Sequence, residues 1–81
     1  MTKKITINYL FENFTFEDIV EVHLKDGRRY IGKYYGFEFD DEYLGDYIYF
    51  SPFDADFDVV SIINIEDIRL VERPDLQFDW Q

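Results

Sequence analysis

The sequence predicts an all-β domain, a small five-stranded barrel with little helix. Two observations predict it. Apolar and polar residues alternate over several short runs, as they do in strands that bury one face in a core. Turn residues such as Asp26-Gly27 and Ser51-Pro52 separate these runs at short intervals. Because the chain has 81 residues, of which 47% are hydrophobic, we expect residues 1–81 to form one domain with one modest core.

The chain begins with a short alternating run. Ile5, Ile7 and Tyr9 alternate with polar residues and predict a first strand. Further along, Thr15 and Asp18 loosely resemble a helix-capping box, but the residues that follow have strand chemistry. We therefore expect at most one helical turn at that point.

The clearest element is a hairpin centred on Asp26 and Gly27, because glycine tolerates the positive φ that tight hairpin turns require. The strand before it ends at Leu24. A two-residue loop would place Leu24 opposite Arg29, whereas a three-residue loop would place it opposite Tyr30. Since the second pairing sets an apolar side chain against another, we predict the longer loop.

The second strand of this hairpin contains Gly32 and Gly36. Glycines inside a strand often mark bends or a close approach of two backbones, as at the corners of a barrel. Residues 46–50 then predict a third strand, which ends at Ser51-Pro52.

Residues 57–65 predict a fourth strand with apolar residues on both faces. Burial of both faces suits a strand that bends between two sheets, or one that another subunit covers. Residues 64–67 predict a single turn, and residues 68–72 predict a short fifth strand. Residues 74–81 are either a loose tail or an edge strand, because their apolar side chains alternate.

The net charge of −10 is distributed unevenly along the chain. Residues 34–68 contain ten acids and neither lysine nor arginine, whereas the rest of the chain contains eight acids and eight bases. Such a field repels phosphate backbones and attracts basic surfaces, so we predict no direct binding of nucleic acid by this block. The alternative is that the acids only solubilise an aromatic-rich domain.

Aromatic residues are also concentrated in this block. With nine Phe, seven Tyr and one Trp, the chain has more rings than a five-stranded barrel can enclose, so some are expected on the surface. The alternative is that half of these rings cap the ends of the barrel. Exposed rings among acids are typical of protein-binding surfaces, where rings anchor the partner and charges steer it. We therefore predict an acidic-aromatic face that binds a basic protein: Asp40, Asp41, Glu42, Tyr43, Asp46, Tyr47, Tyr49, Phe53, Asp54, Asp56, Phe57 and Asp58.

This face suggests a non-catalytic interaction module. A sharper form of the hypothesis is a nucleic-acid mimic of the phage or mobile-element type. Its carboxylates would imitate phosphates and inhibit a protein that binds DNA or RNA.

The first hairpin resembles a known motif. Residues 20–38, VEVHLKDGRRYIGKYYGFE, resemble the first sequence motif of the Sm-like (LSm/Hfq) family of small SH3-like barrels. The resemblance covers about a quarter of the chain and implies an Sm-like barrel. The motif positions are Val22, Leu24, Asp26, Gly27, Tyr30, Gly32, Gly36, Phe37 and Glu38.

The RNA-pocket motifs of that family are not matched. The best counterpart of the second motif is residues 63–68, in which Asn64 and Ile65 replace the Arg-Gly pair of the family pocket. The other pocket half, expected after Phe37, lacks its Met-Asn signature. The resemblance therefore implies the barrel without its RNA site. The family usually also has an N-terminal helix, which the alternating start of this chain does not predict.

The basic residues of the first hairpin supply an alternative function. Interleaved with tyrosines, they could stack single-stranded RNA at an atypical site, as in an Sm-like RNA-binding protein. The competing interpretation is charge balance on a solvated hairpin. We call this group the basic hairpin: Lys25, Arg28, Arg29 and Lys33.

Catalytic and metal chemistry have little support in the sequence. Asp54, Asp56 and Asp58 have the spacing that opens a calcium loop, but Val59 and Ile65 stand where glycine and glutamate are required. Whether these three carboxylates bind a cation stays open. The single histidine alternates away from its apolar neighbours, so we expect it to face solvent or a tyrosine, and neither serine is placed to use it as a base. We predict no enzyme activity, no metal and no cofactor.

The absence of cysteine excludes disulfides, and no long apolar run predicts a signal peptide or a membrane span. We therefore expect a cytoplasmic chain. A homo-oligomer stays open, because Sm-like proteins form rings by pairing the fourth strand of one subunit with the fifth of the next.

Overall fold

A computed structural model describes residues 5–72. The predicted tail, residues 74–81, lies outside the described residues. The elements are helix α1 (Ile7–Asn13), strands β1 (Asp18–Leu24), β2 (Arg29–Asp41), β3 (Gly45–Pro52) and β4 (Val59–Ser61), a 3₁₀ turn (Ile62–Asn64) and strand β5 (Ile65–Glu72). All strand pairs are antiparallel, and the strands form one sheet in the order β4-β3-β2-β1-β5. The prediction of a mainly β, barrel-like fold with five strands and little helix is confirmed.

One cluster of buried apolar side chains joins the helix to the sheet. Val20 and Val22 alternate inward along β1, and Phe50 enters the cluster from β3. From α1, Leu10 is fully buried. The hydroxyl of Tyr9 donates a hydrogen bond to the carbonyl oxygen of Ile68 at 3.3 Å, so the helix is also tied to β5.

The N-terminal segment is a helix, and the prediction of a strand over residues 5–9 is wrong. The hydroxyl of Thr6 accepts a hydrogen bond from the backbone N–H of Tyr9 at 3.1 Å, which is a helix N-cap. In the helical register Leu10 points to the core, while Ile7 and Phe11, four residues apart, share the exposed face. Alternation over five residues does not distinguish the two periods, and the capping threonine was the stronger signal.

The first hairpin has the predicted three-residue loop but a different register. The backbone N–H of Leu24 donates to the carbonyl oxygen of Arg28 at 2.8 Å, and Gly27 has a φ of +99°. Val22, rather than Leu24, lies opposite Tyr30. The predicted pairing is wrong because Leu24 meets its apolar neighbour across the sheet, on β5, where it lies opposite Ile65.

Gly32 allows a close approach of β2 and β3, as its position in the strand predicts. A Cβ atom at this position would collide with the backbone of Ser51 and Pro52. β3 continues through both of these residues, beyond the end that the sequence predicts.

The predicted fourth strand is broken into two elements. β4 contains only three residues, and the chain then passes through the 3₁₀ turn into β5, earlier than the turn predicted at residues 64–67. Within this chain the segment is not buried on both faces, because Val60 is buried but Val59 and Ile63 are exposed. Coverage by another subunit stays a prediction. After the 3₁₀ turn, β5 pairs with β1 at the edge opposite β4, so β4 and β5 are the two outer strands of the sheet in the described chain.

Candidate protein-interaction site

Strand β3 separates the two halves of the predicted acidic-aromatic face. The turn at residues 42–44 precedes β3, and the loop at residues 53–58 follows it. Eight residues of extended strand span roughly 25 Å, so the two acidic segments lie at opposite ends of the strand. The single face that the sequence predicts is therefore two separate groups. We call residues 40–46 the acidic tip and residues 53–58 the acidic loop.

Two carboxylates of the acidic tip shape its backbone. The Oδ2 atom of Asp41 accepts hydrogen bonds from the backbone N–H groups of Tyr43 at 2.9 Å and Leu44 at 2.8 Å. The Oδ1 atom of Asp46 accepts a hydrogen bond from the backbone N–H of Asp40 at 2.9 Å. Asp40 has a φ of +64°, a conformation that aspartate adopts more readily than most residues. The tip is thus an ordered turn built by its own acids.

The acidic tip is negatively charged and partly apolar. Its carboxylates are Asp40, Asp41, Glu42 and Asp46, and within residues 5–72 none of them forms an ion pair with a lysine or arginine. The side chain of Tyr43 is 87% exposed, and Leu44 beside it is also exposed. The predicted combination of acids and an exposed ring therefore occurs at this turn.

Tyr47 follows the acidic tip on β3, and its ring is not exposed. It is 7% exposed and lies opposite Glu38 in the β2–β3 pairing. Its hydroxyl lies 3.2 Å from the hydroxyl of Tyr49, with which it shares a hydrogen bond. This hydrogen bond and burial raise the pKa of Tyr47 to about 12, and the charges of Asp41 and Glu38 add to the shift. The prediction that Tyr47 presents its ring to a partner is wrong, whereas Tyr49 is partly exposed as predicted.

The acidic loop presents three exposed carboxylates, Asp54, Asp56 and Asp58, and the exposed ring of Phe53. Phe57 differs from the prediction. It is half-buried, and its ring packs edge-on against Tyr30 at 5.1 Å between centroids and contacts Phe50. Phe57 therefore holds the loop to the core instead of offering a free ring.

The basic hairpin lies at the same end of the sheet as the acidic loop. This follows from strand direction, because β2 runs away from the hairpin turn and β3 returns. Arg29 and Asp54 line the same surface pocket. Nη2 of Arg28 lies 2.8 Å from Oδ2 of Asp26, and this contact lowers the pKa of Asp26 and raises that of Arg28. Charges of both signs are therefore interspersed at this end.

Two concave surfaces are not apparent from the sequence. A cleft of about 670 Å³ lies beside the basic hairpin, where Lys25 and Arg28 meet Tyr30 and Phe57. A groove of about 400 Å³ lies beside the acidic tip. Each is lined by segments that are distant in the chain, so local patterns carry no signal for either one. The groove is lined by Leu44, Gly45, Asp46, Ser61, Ile62 and Ile63.

The side chain of His23 is largely buried and lies beside an acid rather than facing solvent or a tyrosine. Its Nε2 atom is 3.3 Å from Oε2 of Glu21. Among residues 5–72, no group of three or more histidine, cysteine, aspartate or glutamate side chains is arranged to hold a metal ion.

Comparisons of the chain with models of known protein families, with curated proteins and with solved structures found no match. Over the described range, no helix combines the length and the apolar character needed to cross a membrane.

Proposed function

We propose that this domain is a non-catalytic interaction module of the cytoplasm that binds a basic protein surface through its acidic tip. The proposal rests on one observation above all. Four carboxylates without a cationic partner in residues 5–72 lie next to two exposed apolar side chains, Tyr43 and Leu44. Charges of this kind attract and orient a partner, and a central ring or aliphatic side chain contributes affinity.

The order of the tip favours this function. The carboxylates of Asp41 and Asp46 already accept backbone hydrogen bonds in the free protein. A turn that is ordered before binding loses less conformational freedom in a complex than a flexible loop does. The remaining acids, Asp40 and Glu42, are exposed and available to a partner.

A narrower form of the proposal is a nucleic-acid mimic that inhibits a DNA- or RNA-binding protein. The acidic tip and the acidic loop, roughly 25 Å apart along β3, are two negative groups on one small domain. A cationic nucleic-acid-binding surface is complementary in charge to such an arrangement.

Matched charge removal at the two ends tests the proposal. The Asp40→Asn/Glu42→Gln variant and the Asp54→Asn/Asp56→Asn variant lose the same charge from the tip and from the loop. Asn at position 40 also keeps the positive φ accessible. Binding of a labelled lysine-rich peptide is measured by fluorescence anisotropy at low salt and at about 0.15 M salt.

We expect the tip variant to weaken binding about tenfold and the loop variant to weaken it by less than about threefold. We also expect wild-type affinity to fall as salt rises, because exposed charges are screened. Equal losses in the two variants would mean that net charge alone is responsible, and the acidic tip would then not be the site.

An RNA-binding function at the basic hairpin is the alternative proposal. The cleft of about 670 Å³ favours it, because Lys25 and Arg28 there adjoin the ring of Tyr30, a combination that suits a stacked base and a phosphate. The pairing of Arg28 with Asp26 weakens it. An electrophoretic shift with short single-stranded RNAs at about 0.15 M salt separates the two functions. A shift that is lost in a Lys25→Ala/Arg28→Ala variant would favour RNA, and no shift would remove this alternative.

A further inference from the structure

The groove beside the acidic tip is formed where the end of the β2–β3 hairpin meets the 3₁₀ turn. β4 returns antiparallel to β3, which places Ser61 opposite Tyr47 near the start of β3. The chain then enters the 3₁₀ turn, and Ile62 and Ile63 face the groove across from Leu44. A pairing between distant segments therefore creates this surface directly beside the tip.

The groove has apolar walls that are open to water. Ile63 is 74% exposed and Leu44 is 53% exposed, although both are large aliphatic residues. Ile62 also lines the groove and packs against the buried core, so this wall is anchored. A single exposed aliphatic residue is ordinary, but two that come from different segments and line one groove form an apolar site for a partner.

The charge around the groove restricts its occupant. Among the groove-lining residues that the structure describes, Asp46 is the one with an ionisable side chain. Three more carboxylates, those of Asp40, Asp41 and Glu42, belong to the adjoining turn. An anionic ligand would meet these carboxylates at close range and be repelled. A cationic segment would be attracted to the rim but would leave the apolar walls exposed unless it also contributed an apolar side chain.

We infer that the groove receives one bulky aliphatic or aromatic side chain from a lysine- or arginine-rich segment of the partner protein. The inference rests on the proposed function and adds an apolar anchor to its electrostatic attraction. The groove volume of about 400 Å³ is near the lower end of ligand-pocket sizes, which suits a side chain better than a larger ligand. The carboxylates attract and orient the segment, and the apolar side chain selects among basic segments.

Two lysine-rich peptides of equal length and charge test the inference, one with a central leucine and one with serine at the same position. Their binding is measured by fluorescence anisotropy at about 0.15 M salt, where charges on the surface are partly screened. We expect the wild-type protein to bind the leucine peptide about tenfold more tightly, because burial of an aliphatic side chain contributes at least this much.

Variants of the groove walls assign the preference to this site. Ile63→Ala and Leu44→Ala are each expected to reduce the preference for leucine at least threefold. Ile63 lies outside the acidic tip, so Ile63→Ala is also expected to leave the affinity for the serine peptide unchanged. Phe11→Ala is the matched control, because Phe11 is 75% exposed on α1 and does not line the groove. An unchanged thermal unfolding midpoint in each variant shows that the fold is retained.

Failure of this inference is distinguishable from failure of the proposed function. If both peptides bind equally and both lose affinity in the Asp40→Asn/Glu42→Gln variant, the groove is not an anchor site but the acidic tip still binds. If the leucine preference persists in both groove variants, the inference is also overturned. If neither peptide binds, or the tip variant binds like the wild type, both proposals fail.

Discussion

The two ends of the β2–β3 hairpin both carry several acids, but their surroundings differ. At the acidic tip, four carboxylates form no ion pair with a lysine or arginine of the described chain and lie beside exposed Tyr43 and Leu44. At the other end, the acidic loop lies beside the basic hairpin, and Asp54 and Arg29 line one pocket. The field is therefore uncompensated at the tip and partly cancelled at the loop. A continuous run of acids in the sequence is thus not a continuous patch on the surface.

The acids also differ in what they do for the fold. Asp41 and Asp46 accept backbone hydrogen bonds that define the turn. Within residues 5–72, the side chains of Asp54, Asp56 and Asp58 accept none. Substitutions of Asp41 and Asp46 are therefore expected to change stability as well as binding, whereas those of the loop acids change charge alone.

The largest expected effect concerns the β2–β3 pairing that holds the two ends apart. Gly32→Ala places a Cβ atom into the backbone of Ser51 and Pro52, which cannot move away as a flexible side chain could. We expect a loss of about 3 kcal/mol in the free energy of unfolding, measured by urea denaturation. Gly27→Ala is the control, since a Cβ atom at Gly27 would meet no other atom and only the positive φ disfavours a side chain there. This variant should lose about 1 kcal/mol in the free energy of unfolding. An equally small loss for Gly32→Ala would mean that the strands are not in close contact there.

The next effect separates the structural acids from the solvated ones. Asp41→Ala removes the acceptor of two backbone hydrogen bonds, and we expect it to lower the free energy of unfolding by about 1–2 kcal/mol, as the loss of a capping residue does. Asp56→Ala removes the same charge from the acidic loop and should stay within about 0.5 kcal/mol of the wild type. If both variants have the same stability, the hydrogen bonds of Asp41 do not hold the turn.

A third prediction uses Tyr47 as a reporter of the tip. Because its pKa is about 12 in the folded protein and about 10 when unfolded, the folded state retains a proton that the unfolded state loses. Stability from this group is therefore complete below pH 10 and is lost as the pH rises from about 10 to about 12. Burial raises the pKa of Tyr34 to about 12 as well, so it contributes over the same range.

Ultraviolet titration of the tyrosines tests this assignment. The hydrogen bond with Tyr49 is the largest cause of the shift, so Tyr49→Phe should move the pKa of Tyr47 back toward its ordinary value. The urea midpoint of a Tyr47→Phe variant should then fall less steeply above pH 10. A slope that matches the wild type would indicate that Tyr34 alone causes the loss.

The smallest effect is expected at the other end. The side chains of Arg28 and Asp26 are both more than half exposed, so their ion pair is screened by solvent and contributes little to stability. Arg28→Gln should leave the urea midpoint almost unchanged while making this end more negative. If this end of the variant bound the lysine-rich peptide as tightly as the acidic tip does, neutralisation of the acids by nearby cations would explain the difference between the two ends. Unchanged affinity would show that the geometry of the tip matters more.

Local patterns predicted several elements correctly, and their failures have physical reasons. Alternation found β1 and β2, and the Asp26-Gly27 turn predicted a three-residue loop, because each depends on neighbouring residues. The predicted strand register was wrong at Leu24, because its apolar neighbour, Ile65, comes from β5. Similarly, the run of residues 57–65 has apolar residues on both faces of a strand, so its periodicity does not show where β4 ends and the 3₁₀ turn begins.

The candidate site was predicted in part. The acids of the tip and the exposure of Tyr43 follow from composition, since the chain has more rings than its core can hold. The sequence did not distinguish Tyr47 and Phe57 from the exposed rings. The burial of a ring depends on which face of the sheet it lies on and on its packing against distant residues. Ile63 was not among the predicted site residues, because the sequence places it in a strand and gives no sign that it lies beside Leu44.

The sequence by itself determined the β class, the central excess of negative charge and the surplus of aromatic rings, since each follows from residue types and their short-range spacing. The tertiary structure alone decided that the acids form two groups, that the basic hairpin lies beside only one of them, and that Leu44 and Ile63 share a groove. The physical reason is strand direction. An antiparallel strand of eight residues carries neighbouring acidic segments roughly 25 Å apart, and the pairing of β3 with β4 brings distant apolar residues together.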